Sequence, residues 1–347
     1  MRKITLFIMR AVFRFCCIFP VKTSKIVLLK NFPVWGSLGA LGDYLERRSA
    51  WRVLRLTPRS PLLLYHLATA RAVFLNNNFT PLAHIGLKKQ TKVIQLWHAD
   101  GALKQWGSGT NPYPYDAVIC ADERLRPYWA EAFQVPAERV LALGSPLMDQ
   151  FMQPCDVSFI RARFDARYPQ CKGKRLILYA PTFREDPAQN AALLSHFDFA
   201  AFSKRFPDAA LLVRLHPGMH GAYKLPESAI DVTSMPDATA MLRICGCLVT
   251  DYSSICVDAA VLDIPVILYQ FDEAEYRDCF YVPFRVLAPG PIANNFNELL
   301  DFLALLDEAK EQRSVFAAFH AGIRDGRACE RLEALLENET ELIKKAI

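Results

Sequence analysis

The chain has 347 residues, 52% hydrophobic and 22% charged, with a net charge of +5. That length fits two domains of about 150 residues each, and the composition excludes a disordered or low-complexity chain. The modest positive charge favours anionic partners such as phosphates or lipid headgroups. No basic run beyond Lys88-Lys89 and no interleaved aromatic platform speaks for nucleic acid.

The first segment, MRKITLFIMRAVFRFCCIFP, is apolar and basic at once. Arg10 and Arg14 interrupt the apolar run before the ~18 residues that a membrane span needs. No small-x-small cleavage site follows. Lys3, Arg10 and Arg14 fall along one helical stripe, bordered by Leu6 and Phe13. Two readings fit: a helix lying in a membrane interface, or a first amphipathic helix packed on its own domain.

Strands are expected at Lys25–Leu29, Trp51–Leu56, Ala72–Leu75, Lys92–Leu96, Tyr115–Cys120 and Val140–Leu143. Helices fall between them at residues 37–48, Pro61–Ala70 and Leu125–Phe133. A polar helical stretch over 154–173 is the linker candidate. The pattern restarts with strands at Arg175–Tyr179, Ala210–Leu215, Ala229–Val232, Cys247–Thr250 and Val266–Tyr269. Helices are expected at Ala188–Phe206 and Ser254–Leu262, and an almost wholly helical tail from Asn297 to Lys345. This alternation predicts an α/β protein with parallel sheets. The expected division is a helix over 1–20, one α/β domain over 21–160 and a second over 174–347. The ten cysteines form no CxxC pair and no zinc-spaced cluster. Cys245 and Cys247, two apart in an apolar run, are expected on one face of a strand. Scattered thiols of this kind indicate a reducing compartment, the cytoplasm.

Five apolar runs end in polar residues: VIQLWHADG, LALGSP, LILYAPTFRED, LLVRLHPG and CLVTDYSS. Strand carboxyl ends are where open α/β sheets bind ligands. The residues to weigh there are His98, Ser145, Thr182, Arg184, Arg214, His216, Thr250, Asp251, Ser253 and Ser254. Pro217-Gly218 forces a turn after His216, and Arg214 shares its face if the strand is regular. Two such donors suit a phosphate. Ser253 and Ser254 open a helix, where hydroxyls and backbone N–H groups hold anions; capping alone explains one serine and not the pair. Thr182 and Arg184 are a phosphate donor and a neutralising cation, or an ordinary strand exit. Neither GxxxxGK[ST] nor GxGxxG occurs.

Gln95–Gly107 (QLWHADGALKQWG), Tyr179–Arg184 (YAPTFR), Leu215–Pro217 (LHP) and Thr250–Arg277 (TDYSSICVDAAVLDIPVILYQFDEAEYR), in this order, resemble the CDP-glycerol glycerophosphotransferases that build teichoic acids and related polymers. The resemblance covers residues 70 to 285. It implies a GT-B-like fold, two Rossmann-type domains facing a central cleft. The first domain would serve the acceptor and the second the CDP donor. It implies CDP-glycerol or CDP-ribitol as donor, a polyprenyl-linked saccharide or growing polymer as acceptor, release of CMP, and work at the cytoplasmic membrane face. His98 matches the family's proposed general base, a role an imidazole can fill at neutral pH. His216 would be the second catalytic residue, stabilising the charge on the leaving CMP, and Thr182, Arg184, Arg214, Thr250, Asp251, Ser253 and Ser254 would bind the donor's phosphates and nucleotide. Asp100 and Lys104 would lie on the acceptor side. No DxD-like pair marks a metal, so neither metal nor cofactor is expected.

The first motif departs from the family's common Trp-His-Gly-Thr-Pro-Leu-Lys: Ala99-Asp100-Gly101-Ala102-Leu103-Lys104 follows His98, one residue longer. Asp100 is placed to orient the imidazole or raise its pKa. Alternative readings are a GT-B nucleotide-sugar glycosyltransferase, and a non-catalytic scaffold, against which the intact motif residues argue.

Overall fold

Ile26, Val27, Leu28 and Leu29 are wholly buried in succession, as in a parallel strand covered on both faces. They form the end of β1 (Lys22–Leu29), the first strand in a computed structural model that describes residues 3–32, 36–105, 113, 115–184, 186–216, 223–235, 238–276, 279–306 and 309–337. The described chain divides into two compact units. The first runs to Gly101, from Gln105 to Gln153 and from Ala321 on. The second holds Ala102–Lys104 and Pro154–His320.

The first unit carries β1, β2 (Arg52–Leu56), β3 (Ala70–Leu75), β4 (Lys92–Gln95), β5 (Ala117–Cys120) and β6 (Val140–Ala142). Its helices are α1 (Lys3–Cys16), α2 (Gly36–Glu46), α3 (Leu63–Ala68), α4 (Leu82–Ile85), α5 (Arg126–Phe133) and α6 (Pro146–Met152). The sheet is parallel, with order β2-β1-β3-β4-β5-β6. The order reverses between β1 and β3, so the loops after these strands border a crevice suited to ligands.

The second unit carries α7 (Val157–Arg167), β7 (Arg175–Tyr179), α8 (Pro187–Ser195), α9 (Phe199–Arg205), β8 (Ala209–Val213), β9 (Ala229–Asp231), α10 (Ala238–Ile244) and β10 (Cys247–Thr250). Then follow α11 (Ile255–Val261), β11 (Val266–Tyr269), α12 (Glu273–Tyr276), β12 (Ile292–Ala293), α13 (Phe296–Ala304) and α14 (Lys310–His320). Its parallel sheet has the order β12-β11-β10-β7-β8-β9, the doubly wound arrangement, with its reversal between β7 and β10. The last described helix, α15 (Ala328–Glu337), returns to the first unit, where Cys329, Leu332 and Leu336 join the core of Ile26, Leu28, Leu41, Phe74 and Ile94.

Several expectations need revision. The stretch over 154–173 is no linker: α7 belongs to the second unit and buries Phe164. The tail is split, because α15 packs with the first unit and not the second; residues 338–345 lie outside the described residues. The long helix expected at Ala188–Phe206 is two helices. Asp198 accepts the Ala201 N–H as an N-cap and starts α9 anew, while Phe197 turns into the core. Cys245 precedes β10 in a turn, so it does not share a strand face with Cys247, although both are buried. The first unit's order, 2-1-3-4-5-6, is the other common doubly wound arrangement.

Helix α1 packs on α3 and α4 through its inner face, burying Phe13 and Cys16. Its other face leaves Phe7, Ile8, Val12 and Phe15 exposed, followed by exposed Ile18 and Phe19. Arg10 and Arg14 are exposed too. No helix among the described residues is long and apolar enough to cross a membrane.

Candidate functional site

In the first unit, β4 ends at Gln95 and the chain turns sharply at Trp97, whose φ of 62° is left-handed, a rare conformation for an aromatic residue. Trp97 donates its N–H to Gln95 Oε1 at 2.9 Å. The turn places His98 between Phe32, stacked at 3.7 Å, and Trp97, tilted at 4.1 Å. The Nδ1 of His98 lies 3.0 Å from the carbonyl oxygen of Asn76, just past β3. A carbonyl only accepts, so Nδ1 carries the proton and Nε2 carries the lone pair. Burial lowers the His98 pKa to about 4, partly offset by the bond to Asn76, so the ring is neutral at pH 7. A neutral imidazole with a defined acceptor nitrogen is what a general base requires.

Asp100 is also buried and accepts from Ser145 Oγ at 2.9 Å; Ser145 Oγ lies 2.9 Å from Ser37 Oγ. Burial raises the Asp100 pKa to about 6, and the Ser145 hydroxyl partly offsets this. The bond of His98 Nδ1 is to the Asn76 carbonyl, while the Asp100 carboxylate bonds Ser145. Gly101 (φ 88°) and Gly144 (φ 85°) make the left-handed turns beside Asp100 and Ser145.

The motif then changes units. Ala102 donates its N–H to His320 Nδ1 at 3.2 Å, and Leu103 accepts from the Tyr281 N–H at 2.8 Å. Lys104 forms an antiparallel bridge with Phe280. Lys104, expected beside Asp100 on the acceptor side, therefore belongs to the second unit. There burial lowers its pKa, while the charge of Asp251 raises it. Trp106 and Gly107 lie outside the described residues.

In the second unit the expected residues gather at the β7/β10 reversal, but several serve the scaffold. Arg184 is buried and bonds Asp251 Oδ2 and Asp272 Oδ2, each at 2.8 Å, with Tyr252 OH on Asp272 Oδ1 at 3.0 Å. Burial works against the guanidinium's charge, and the two carboxylates more than offset it, raising its pKa. Asp251 Oδ1 accepts the N–H groups of Thr182 and Tyr252. Thr250 Oγ1 donates to Ala180 O at 2.7 Å, tying β10 to the end of β7. Arg214 sends Nη1 to Met235 O at 2.6 Å and holds the loop after β9; β8 has ended at Val213, so the strand alternation that paired Arg214 with His216 does not apply. Arg184, Asp251, Thr250 and Arg214 thus each hydrogen-bond within the protein.

Three residues keep hydroxyl chemistry at this edge. The buried Thr182 Oγ1 has no hydrogen-bond partner among the described residues, which a buried hydroxyl rarely tolerates. Ser253 Oγ approaches the Ile255 N–H only at 3.5 Å, and Ser254, the N-cap of α11, makes no side-chain cap. Side-chain capping thus reaches at most one serine of the pair, Ser253. His216 is half-buried beside Phe183 at 5.2 Å, and burial lowers its pKa; Pro217 and Gly218 lie outside the described residues. A cavity of about 220 Å³ opens at the ends of β10, β11 and β12, lined by Tyr252, Gln270, Phe280, Arg285 and Asn294. A larger one, about 650 Å³, includes Pro265, Val266 and Pro291 at the opposite strand ends and none of these residues. Asp272, Tyr252, Gln95 and Asn76 escaped the sequence reading; Asn76 acts through its backbone, which no side-chain motif reveals. No group of three or more His, Cys, Asp or Glu among the described residues is arranged to hold a metal ion.

Two parallel sheets with polar residues gathered at their carboxyl edges define an α/β protein of the kind that binds ligands at topological reversals. The chain belongs to the CDP-glycerol:poly(glycerophosphate) glycerophosphotransferase family, whose model matches residues 40–338. It is 28% identical to the teichoic acid poly(ribitol-phosphate) polymerase of Bacillus spizizenii over 90% of this chain, and spans 56% of that relative's length. It is 31% identical to the teichoic acid ribitol-phosphate primase of the same organism, over 78% of this chain and 75% of the relative. The fold matches the wall teichoic acid polymerase TagF with a TM-score of 0.80 at 20% identity, over 99% of this chain and 96% of that one.

Proposed function

We propose that the protein is a GT-B-like enzyme that transfers glycerol phosphate, or another alditol phosphate, from a CDP-alditol to a hydroxyl of a lipid-linked saccharide or growing polymer. CMP is released, and the product belongs to teichoic-acid-like or capsular polymer synthesis. The observation that carries this reading is His98: a neutral imidazole with Nδ1 bonded to Asn76 and Nε2 left as the proton acceptor. Family membership and the names of the relatives supply the donor class.

In this reading the acceptor oxygen attacks the phosphorus bearing the alditol. Its proton passes to His98 Nε2, and the bond from that phosphorus to the bridging oxygen breaks, with the electron pair leaving on CMP. Thr182, Ser253, Ser254 and His216 meet the donor phosphates, where hydrogen bonds to developing charge lower the barrier. Arg184 and Asp251 act one step behind, by fixing Thr182 and Tyr252. The first unit serves the acceptor and the second the donor, and Asp100 lies with the former.

The protein works at the cytoplasmic face of the cell membrane as a peripheral protein. Exposed Phe7, Ile8, Val12 and Phe15 of α1, with Arg10 and Arg14, support this. The test is incubation with lipid-linked disaccharide and CDP-glycerol, CDP-ribitol or a UDP-sugar in separate tubes. CMP release and an acceptor carrying alditol phosphate are expected with a CDP-alditol. Turnover of the UDP-sugar alone would contradict the reading and favour a glycosyltransferase.

A further inference from the structure

Below His98 the first unit contains a closed circuit of hydrogen bonds. His98 Nδ1 donates to Asn76 O, and Asn76 Oδ1 accepts the Asn31 N–H at 2.9 Å. Asn31 Nδ2 donates to Asn78 O at 2.5 Å, and Asn78 Oδ1 accepts from Tyr115 OH at 2.6 Å. Tyr115 OH in turn accepts from Gln95 Nε2 at 3.1 Å, and Gln95 Oε1 holds the N–H of Trp97, the residue before His98. The circuit joins the ends of β1, β3 and β4 to the start of β5, across the reversal of the sheet.

We propose that Gln95 is a positioning residue for His98, holding Trp97 in its left-handed conformation so that the imidazole stays on the Asn76 carbonyl. The physical need is specific. A left-handed aromatic residue is strained and persists only where its surroundings fix it. Gln95 is fully buried, and both ends of its amide are used in this circuit. Without it, Trp97 relaxes toward an ordinary backbone conformation and carries the imidazole off Asn76. The ring then loses the bond that places the proton on Nδ1. Tyr115 orients the amide of Gln95, and Phe133 packs edge-on against both Trp97 and Tyr115.

The proposal rests on the reading of His98 as the base, and two measurements separate them. The first is the tautomer of His98 at pH 7, read from histidine ¹⁵N shifts and assigned with His98→Gln. The second is kcat and KM for the CDP-alditol. In Gln95→Met, the Nδ1–H tautomer gives way to a mixture and kcat falls about 10- to 100-fold, as for a misplaced catalytic group, with KM nearly unchanged. Tyr115→Phe moves both readouts in the same direction by less, and it carries the test if Gln95→Met does not fold. An unchanged tautomer in a folded Gln95→Met protein, or an unchanged kcat where His98→Ala is inactive, overturns the positioning role. A fully active His98→Ala enzyme overturns the base role, and this proposal with it.

Discussion

His98 donates its Nδ1 proton to the carbonyl oxygen of Asn76 across 3.0 Å, which leaves Nε2 as the nitrogen able to take a proton. Burial holds the pKa of this ring at about 4, below its ordinary 6.5. The unfolded chain therefore binds more protons between these values, and the His98 contribution to stability improves as pH rises from 4 to 6.5. With His98 as the proposed base, catalysis is expected to follow the same titration. The acid limb of kcat/KM is expected below about pH 5, with no loss near 6.5. A rate that halves near pH 6.5, assignable to His98, contradicts the burial argument.

Arg184 is buried with Asp251 and joins the half-buried Asp272 in a triad. Removing one partner of such a set leaves an uncompensated charge, at about 3–5 kcal/mol. Arg184→Met is expected to lose stability of that order in urea unfolding, while donor KM changes little at a temperature where the variant is folded. A large rise in donor KM with stability intact would return Arg184 to the phosphate-binding set.

Asp100 shows the opposite sign to an ordinary paired carboxylate. Its folded pKa is raised from 3.8 to about 6 by burial. The associated stability is fully present below pH 3.8 and is lost as pH rises through 6. Asp100→Asn keeps an acceptor for Ser145 without the charge. It is expected to stabilise the protein by about 1–3 kcal/mol at pH 7.5 and by little at pH 3.8. Thermal unfolding at the two pH values decides; equal gains at both would contradict the assignment.

Phe7 and Phe15, 74% and 65% exposed on α1, support no core packing. Phe7→Ser and Phe15→Ser are each expected to weaken binding to anionic phospholipid vesicles about 10-fold. Unfolding free energy should stay within about 0.5 kcal/mol. Undiminished vesicle binding would show that the exposed face does not enter lipid.

What the sequence disclosed follows from what leaves a local signature. Arg175–Tyr179, Cys247–Thr250 and Val266–Tyr269 are strands as expected, because short apolar runs bounded by turns need only local information. The polar residues at their ends were visible for the same reason. Their partners were not. Asp251 and Asp272 lie 67 and 88 residues from Arg184 in the chain, and without them a buried arginine reads as a phosphate ligand. Trp97 adopts a left-handed turn with no glycine to announce it, held by a glutamine that looked like one more residue of the strand. The unit boundaries were equally hidden, since the first departure from the first unit lasts only Ala102–Lys104 and the return of α15 is a matter of packing.

The most direct test of the central claim is CMP release from the accepted CDP-alditol by wild type and His98→Ala, with donor binding measured alongside by calorimetry. Loss of the base is expected to lower kcat by about 10²–10⁴-fold while donor affinity and folding are retained. A His98→Ala enzyme that releases CMP onto acceptor at the wild-type rate would contradict the account.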